Sequence, residues 1–246
     1  AMVILSQGWR AKCANQSKDL PMSETQLVLS IDTCGGTGTV TLARLEPASP
    51  DSEPITLLNQ TELPGKTYSA QLLPAIRQLL AAHNATVAQI ATIVVTNGPG
   101  SFTGIRIGLA TAKGLAEVHA TPIVAVSRLA VLAHKAGVTA AAFDASRGEF
   151  YFRDSSATPK ESLLSSDQFQ QQASTLANSL AVCESSVHAL APRATLVAPP
   201  TAADALRFAP PRLLAQNYDN PVTLDGNYLR RSDAEIFSKP KTAVAP

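Results

Sequence analysis

Residues 140–153 read AAAFDASRGEFYFR, an apolar run that ends at Asp144, a turn of small residues, and a second run of β-forming residues. The same plan occurs at residues 26–43, QLVLSIDTCGGTGTVTLA, where Asp32 takes the place of Asp144. Apolar, partly β-branched runs bounded by Gly, Asp and Ser clusters predict strands joined in hairpins. Two such units favour a duplicated α/β arrangement of two related lobes over one doubly wound sheet. The alternative is a chance repeat, because a strand followed by Asp and a turn is common.

A glycine-rich loop lies between the two units, at residues 97–104, NGPGSFTG. It follows a strand predicted at 90–96 and opens a helix, an arrangement that presents backbone N–H groups to a phosphate. It is not a Walker A loop, since no Gly-Lys-Ser/Thr ends it, and Pro99 departs from the dinucleotide fingerprint. The alternative is a tight turn with Thr103 capping the helix. The candidates for a degenerate, phosphate-loop-like site are Asp32, Thr33, Gly98, Gly100, Ser101 and Thr103.

Two helices are predicted beside this loop, at 68–83 and 103–119. The first has an apolar stripe at helical spacing. On the second, Gly104, Gly108, Ala112 and Ala116 recur every fourth residue and leave a stripe with almost no side chain. Because glycine in a helix costs about 1 kcal/mol relative to alanine, the stripe predicts close approach by another helix. The alternative is that the stripe faces this chain's own sheet.

Composition excludes several classes of protein. The 246 residues carry a formal net charge of +1, and 45% of them are hydrophobic. That balance does not suit a protein that coats nucleic acid or an anionic membrane through its overall field. No run reaches the length of about 18 apolar residues that a membrane span needs. Cys13, Cys34 and Cys183 are odd in number and widely spaced, so we expect no disulfide framework, and a reducing cytoplasm fits best.

The sequence also lacks the spacings of two common catalytic sites. The four histidines, His83, His119, His134 and His188, include no pair spaced to place two imidazoles on one helical face for a metal. Ser101 lies in Gly-Pro-Gly-Ser-Phe and not in the Gly-x-Ser-x-Gly of a nucleophile elbow. Residue spacing alone therefore identifies no catalytic constellation and predicts no metal site.

Several blocks in order resemble one known family. They are LVLSIDT, YSAQLLP, NGPGSFTGIRIGLATAKGLA, PIVAVSRLA, FDASRGEFY and YLRRSDAE, and they run from about Gln26 to Phe237. The sequence is similar to the bacterial TsaB (YeaZ) family, and the GPGSFTGxRIG block is highly specific for it. The resemblance implies an α/β fold of the actin, Hsp70 and sugar-kinase type, built from two related lobes. We expect an N-terminal lobe at 25–135, a divergent C-terminal lobe at 136–238, an extension at 1–24 outside the fold, and a frayed tail at 239–246.

The resemblance also implies a function without chemistry of its own. The TsaB family supports formation of N6-threonylcarbamoyladenosine in tRNAs that read codons beginning with A, by binding and stabilising the catalytic paralogue TsaD. A small ATPase, TsaE, joins that assembly. We therefore expect no catalytic residue, metal or cofactor on this chain, with ATP and metal on TsaD. We further expect tRNA contact only through the complex, no membrane contact, and a possible homodimer when the partner is absent.

The two predicted helices are the expected partner interface. Paired with two helices of a related partner, they would form a four-helix bundle across a pseudo-twofold axis. The expected interface residues are Tyr68, Leu72, Leu73, Ile76, Leu79, Gly104, Ile105, Arg106, Gly108, Leu109, Ala112, Lys113 and Ala116. Arg106 and Lys113 either pair with partner acids or form the solvated face of their helix.

The sequence departs from the family pattern, and two other functions are therefore considered as hypotheses. Cys34-Gly-Gly-Thr stands where a hydroxyl-rich turn is common, which argues against phosphate handling by the Asp32 turn. A stand-alone ATPase or phosphotransferase of this fold would need a late glycine pair that binds adenosine, and only Asp225-Gly226 is offered. A metallopeptidase would need the paired histidines that the sequence lacks.

Overall fold

The computed structural model describes residues 25–47, 53–65 and 67–230. The extension expected at 1–24 and the tail expected at 239–246 lie outside the described residues. Within the described ranges, no helix is both long enough and apolar enough to cross a membrane.

The first sheet has five strands in the order β3-β2-β1-β4-β5. Strands β1, β2 and β3 form an antiparallel meander, whereas β4 pairs parallel to β1 and β5 pairs parallel to β4. All but the first two residues of β1 and all but one of β4 are buried, as expected for inner strands covered on both faces. The strands are β1 Gln26–Asp32, β2 Gly38–Leu45, β3 Ile55–Leu63, β4 Ile90–Thr96 and β5 Ile123–Val126.

The second sheet repeats this topology strand for strand, in the order β8-β7-β6-β9-β10. An antiparallel meander of β6, β7 and β8 is again followed by two strands that pair in parallel beyond the first. The duplication predicted from residues 26–43 and 140–153 is therefore confirmed. The strands are β6 Ala140–Asp144, β7 Glu149–Asp154, β8 Lys160–Ser165, β9 Leu180–Val182 and β10 Thr195–Leu196.

Helices fill three layers around the two sheets. Helices α1 and α2 cover the outer face of the first sheet, α4 and α5 cover the outer face of the second, and α3 and α6 pack together between the sheets. The two predicted helices at 68–83 and 103–119 are α1 and α2. The bounds are α1 Tyr68–Ala82, α2 Phe102–His119, α3 Arg128–Ala136, α4 Ser166–Leu176, α5 Ser185–Leu190, α6 Ala202–Phe208 and α7 Pro210–Leu214.

Local chemistry fixes the ends of the helices that border the space between the lobes. Ser101 precedes α2, and its side chain accepts a hydrogen bond from the Gly104 N–H. Ser127 caps α3 in the same way, and Gly137 ends that helix with a left-handed φ of 66°. A serine that satisfies one of the orphan N–H groups at a helix start stabilises it by about 1 kcal/mol. These caps hold the starts of α2 and α3 directly beside the turns that follow β4 and β5.

The chain exchanges helices between the lobes, which corrects the expected boundary between 25–135 and 136–238. Helix α3 comes from the N-terminal part but packs on β6, β7 and β9 of the second sheet. Helix α6 comes from the C-terminal part but covers the inner face of β1, β2 and β4. The apolar face of the first sheet needs cover on its inner side, and Ala205, Leu206 and Ala209 supply it. The spacing of apolar residues in α6 does not reveal which of the two sheets this helix covers.

The small-residue stripe of α2 faces this chain's own sheet, which corrects the expectation that it faces a partner. A Cβ on Gly104 would lie 2.0 Å from the Thr33 carbonyl oxygen, and one on Gly108 would lie 2.4 Å from the Thr33 Oγ1. Ala112 and Ala116 are fully buried in the core between α2 and the first sheet. The absent side chains therefore allow the helix to approach β1, and not a neighbouring helix.

The opposite faces of α2 give a direct test of this packing. Gly104→Ala would place a methyl group against backbone, so we expect the free energy of unfolding to fall by about 1–3 kcal/mol. Gly114 is exposed with no heavy atom within 4 Å of a built Cβ. Gly114→Ala should raise the free energy of unfolding by about 1 kcal/mol through helix propensity. Urea unfolding of the two variants measures both, and equal effects would contradict this orientation of α2.

Candidate functional site

The turn after β1 is organised by a buried carboxylate. Asp32 is 2% exposed, and its Oδ1 accepts hydrogen bonds from the Cys34 N–H at 2.9 Å and the Thr96 hydroxyl at 2.7 Å. Its Oδ2 lies 3.5 Å from the Arg128 Nε. Both oxygens of the carboxylate therefore have partners inside the protein.

The glycine loop packs directly against this turn. The Ser101 N–H donates to the Cys34 carbonyl at 2.8 Å, and the Thr33 hydroxyl donates to the Gly104 carbonyl at 2.6 Å. A Cβ on Gly100 would lie 2.3 Å from the Cys34 carbonyl oxygen, so only glycine allows this approach. Of the candidate phosphate-loop residues, the structure brings together Asp32, Thr33, Gly100 and Ser101. Gly98 lies behind them against Ile105, and Thr103 is exposed on α2.

The second lobe carries the matching turn. The Asp144 Oδ1 accepts a hydrogen bond from the Ser146 N–H at 2.7 Å, as the Asp32 Oδ1 does from the Cys34 N–H two residues on. The backbone then passes through three left-handed residues, with φ values of 64° at Ser146, 59° at Arg147 and 73° at Gly148. The equivalence of the two aspartates predicted from sequence thus extends to their side-chain hydrogen bonds.

A cleft of about 600 Å³ separates the two turns. Gly35, Gly36, Gly100 and Ser101 line it from the first lobe. The second lobe and the segment after α7 line it mainly with larger side chains, which are Phe143, Asp144, Ser146, Tyr151, Glu184, Asn227, Tyr228 and Arg230. The cleft is therefore mixed in character, with both signs of charge and several aromatic rings on its walls.

Arg128 is the buried cation of the cleft. It is 7% exposed, its Nε faces Asp32, and its guanidinium lies 4.6 Å from the centre of the Phe143 ring in the other lobe. Although burial opposes the charged form, Asp32 and other acidic groups raise the pKa of Arg128, so it remains a cation. Gly35 accommodates it, because a Cβ there would lie 2.5 Å from Nη2.

Sequence reasoning did not identify Arg128 as a site residue. The signal is its position, because Arg128 interrupts the apolar run from Ile123 to Ala133 where a buried helix begins. Glu184 follows strand β9 in a similar way and was also missed. Burial raises the pKa of the Glu184 carboxyl, while a hydrogen bond from the Cys183 thiol and the charge of Arg128 lower it.

The Glu161 carboxylate connects the second sheet to Ser127 and to the C-terminal segment. Glu161, on β8, accepts hydrogen bonds from Ser127 and Asn227, and from the Arg153 guanidinium at 2.9 Å. Asn227 in turn donates its N–H to the Asn97 carbonyl at 2.7 Å. The glycine loop, the start of α3 and the C-terminal segment are therefore tied to the second sheet at one point.

Most of the expected interface residues are core residues of this chain, which is a correction to their predicted role. The side chains that pack beneath α1 and α2 are Tyr68, Leu72, Ile76, Leu79, Ile105, Leu109, Ala112 and Ala116, with Gly104 and Gly108 among them. Leu73 and Arg106 are exposed, and the Arg106 guanidinium lies 3.9 Å from the centre of the Phe102 ring. The Lys113 ammonium donates to the Leu224 carbonyl at 2.5 Å, so it serves this chain.

The described residues offer no cluster of three or more His, Cys, Asp or Glu side chains arranged to hold a metal ion. Asp144 lines the cleft, whereas Asp32 is buried behind the turn on the opposite side and is paired with Arg128. The prediction that this chain binds no metal or cofactor stays a prediction.

Two α/β lobes of identical topology, each opening on a central cleft with an Asp turn, define the actin, Hsp70 and sugar-kinase class of fold. A family model described as TsaD, tRNA N6-adenosine threonylcarbamoyltransferase, matches residues 58–197. The chain belongs to this TsaD family, and the relatives and solved structures it matches include proteins of the TsaB, or YeaZ, type.

Two relatives show the extent of the similarity. The tRNA threonylcarbamoyladenosine biosynthesis protein TsaB of Bacillus subtilis is 38% identical over 128 residues, which cover 50% of this chain and 52% of the relative. TsaB of Haemophilus influenzae is 36% identical over 97 residues, covering 37% and 41%. The chain thus spans about half the length, or less, of these relatives. The solved structure of YeaZ from Pseudomonas aeruginosa superposes with a TM-score of 0.63 at 21% identity, covering 83% of this chain and 100% of that one.

The buried Cys34 thiol is expected to lower the free energy of unfolding as the pH becomes alkaline. Burial, followed by the charge of Asp32, raises the pKa of Cys34 from its ordinary value of 9.0 to about 12. The unfolded chain loses this proton near pH 9, whereas the folded chain keeps it. The contribution of Cys34 to the free energy of unfolding is therefore fully present below pH 9 and is lost as the pH rises from 9 to 12. Between pH 8 and pH 10 we expect Cys34 to contribute a loss of about 1.4 kcal/mol.

Urea unfolding at pH 8 and pH 10 checks this expectation, with Cys34→Ala as the matched control. The variant should lose less stability over the same interval, by about 1.4 kcal/mol. An identical loss in both proteins would show that the Cys34 thiol ionises as readily in the folded chain as in the unfolded one.

Proposed function

We propose that this chain is a non-catalytic subunit that binds TsaD in the formation of N6-threonylcarbamoyladenosine in tRNAs reading codons that begin with A. TsaE joins the assembly, and tRNA contacts the complex and not this chain directly. The observation that carries the proposal is an exposed apolar surface on the outward faces of α1 and α2. The similarity to proteins named TsaB supports the pathway.

The outward face of α2 lies opposite the stripe that packs on the sheet. Val118 is 71% exposed on this face, and Ala110 and Gly114 give it a second set of small residues. On α1, Leu73 is 55% exposed, with Ala70 and Pro74 exposed beside it. Leu73 and Val118 are two of the five large apolar side chains exposed in the described ranges, and they lie on adjacent helices.

This surface suits a partner that presents two helices of its own. The small residues Ala110 and Gly114 allow a second helix to approach closely, and the larger Leu73 and Val118 fill the grooves beside them. A related lobe of TsaD would complete a four-helix bundle across a pseudo-twofold axis. A second copy of this chain satisfies the same geometry, which is the basis for a homodimer when TsaD is absent.

The Asp32 turn supports a role without catalysis. In phosphate-transferring folds a carboxylate in a cleft organises the waters of a magnesium ion. Here the two oxygens of Asp32 already have Cys34, Thr96 and Arg128 as partners. The Arg128 guanidinium provides a fixed positive charge beside the Asp32 carboxylate. In this proposal ATP and the metal ion bind to TsaD. The proposed site of action is the cytoplasm, where tRNA is modified.

The rival functions differ from this one in measurable ways. A stand-alone ATPase or phosphotransferase would bind and turn over ATP as an isolated chain, and a metallopeptidase would carry a stoichiometric metal ion. Reconstitution with the cognate TsaD and TsaE, scored for threonylcarbamoyl transfer to tRNA, tests the scaffold function directly. We expect transfer to require this chain, and equal transfer without it would contradict the proposal.

Substitution on the outward face should separate binding from folding. We expect Val118→Glu to weaken binding to TsaD at least tenfold, about 1.4 kcal/mol, because a carboxylate would be desolvated at the centre of the interface. Leu190→Glu is the matched control, since Leu190 is 40% exposed on α5 in the other lobe. Calorimetric titration of TsaD measures both variants, and circular dichroism melting confirms that each is folded. Unchanged binding by Val118→Glu would place the interface elsewhere.

The isolated chain should have no ATPase activity. We expect phosphate release from ATP at the level of a protein-free blank, because Arg128 holds the position where Asp32 would meet a hydrated cation. Elemental analysis should likewise find no stoichiometric zinc or iron. Turnover that disappears in an Asp32→Asn variant would show that the cleft is catalytic after all.

A further inference from the structure

The walls of the cleft carry opposite charges that do not satisfy each other. Arg128, at the start of α3, lines the cleft beside the Asp32 turn of the first lobe, whereas Asp144 and Glu184 line it from the second lobe. Among the described residues, no ion pair joins Arg128 to either of these two acids, and its one ion-pair partner is Asp32, at 3.5 Å. The cleft thus presents the Arg128 cation opposite two carboxylates, whereas the second guanidinium in the lining, Arg230, forms an ion pair with Glu149 at 3.3 Å.

The buried cation retains hydrogen-bonding capacity. A guanidinium has five N–H donors in a planar fork. Within the described part of the chain, the Arg128 side chain makes no hydrogen bond, because its buried Nε faces the Asp32 Oδ2 at 3.5 Å as an ion pair without hydrogen-bond geometry. The fork matches the two oxygens of a carboxylate, which would satisfy two of these donors at once.

The opposite wall retains an unsatisfied acceptor. Glu184 lines the cleft, and its Oε2 is buried with no hydrogen-bond partner. The Asp144 carboxylate lies on the same wall at the turn after β6. A dianionic phosphate in the cleft would meet these two carboxylates, so this wall favours a cationic group and disfavours a nucleotide's phosphates.

The remaining lining is largely aromatic. Phe143 lies under the Arg128 guanidinium, and Tyr151 and Tyr228 line the cleft with it. Tyr228 contacts Phe102 in a tilted arrangement, with ring centres 4.9 Å apart and an interplanar angle of 48°. Pockets for small ligands combine such apolar walls with a few polar groups that fix orientation. Here the charged groups are the Arg128 guanidinium and an opposing pair of carboxylates, together with Arg230, which is held in an ion pair with Glu149.

We propose that the interlobe cleft binds an α-amino acid with an apolar side chain, its carboxylate on the Arg128 fork and its ammonium facing Glu184 and Asp144. The side chain contacts the aromatic lining. This proposal rests on the cleft alone and does not depend on TsaD binding, which concerns the outer faces of α1 and α2.

A matched set of probes tests each charge separately. We would titrate the full chain calorimetrically with L-phenylalanine, with 3-phenylpropionate, which lacks the ammonium, and with 2-phenylethylamine, which lacks the carboxylate. We expect phenylalanine to bind at least tenfold more tightly than either analogue. No detectable binding of phenylalanine, or equal binding of all three probes, would overturn the proposal.

Two variants assign the charges to residues. Glu184→Gln should weaken the binding of phenylalanine and of 2-phenylethylamine, which carry the ammonium, and should not weaken the binding of 3-phenylpropionate, which lacks it. Arg128→Lys keeps a cation beside Asp32 but removes the fork, so it should weaken both carboxylate probes and leave 2-phenylethylamine unchanged. Glu117→Gln, exposed on α2, is the matched control and should alter none of them. A uniform loss of all probes in Glu184→Gln would indicate a structural role for Glu184 and contradict the assignment.

Discussion

The backbone contact between helix α2 and the turn after β1 determines the arrangement of the rest of the molecule. Gly104 and Gly108 bring the helix so close to Thr33 that no other residue fits without movement of the chain. This contact orients α2, since it fixes which side of the helix is buried and which side carries Val118 outward. It also holds the glycine loop on the Asp32 turn, because Ser101 bonds Cys34 at the same junction. The close approach of α2 to the turn after β1 therefore determines both the floor of the cleft and the candidate interface.

The duplication was predictable from sequence because it depends on local pattern. An apolar run, an aspartate and a small-residue turn are visible in both halves, and the structure repeats even the hydrogen bond from the aspartate to the N–H two residues on. The bounds of α1 and α2 were predicted to within one residue for the same reason. Periodicity and capping residues report on local structure, whatever lies around it.

The direction of the small-residue stripe could not be predicted, because a missing side chain does not identify the neighbour that replaces it. A sheet and a helix both approach such a stripe closely, and Thr33 is 71 positions from Gly104 in the chain. The second set of small residues, Ala110 and Gly114, was visible in the same helix but carried no signal that it was exposed. Arg128 shows the converse case, since its charge within an apolar run marks a buried ion pair without naming Asp32 as the partner.

The exchange of helices between the lobes also has a consequence for synthesis on the ribosome. The first sheet acquires its outer cover early, from α1 and α2, but its inner face waits for α6, which ends at Phe208. Until that helix emerges, the nascent chain exposes Val28, Val94 and Val124 of the inner face, which belong to one apolar cluster. Domains usually fold as units as they are synthesised, and exposed apolar strands favour aggregation. Neither half of this chain is therefore an autonomous folding unit, because each sheet takes the helix that covers its inner face from the other half.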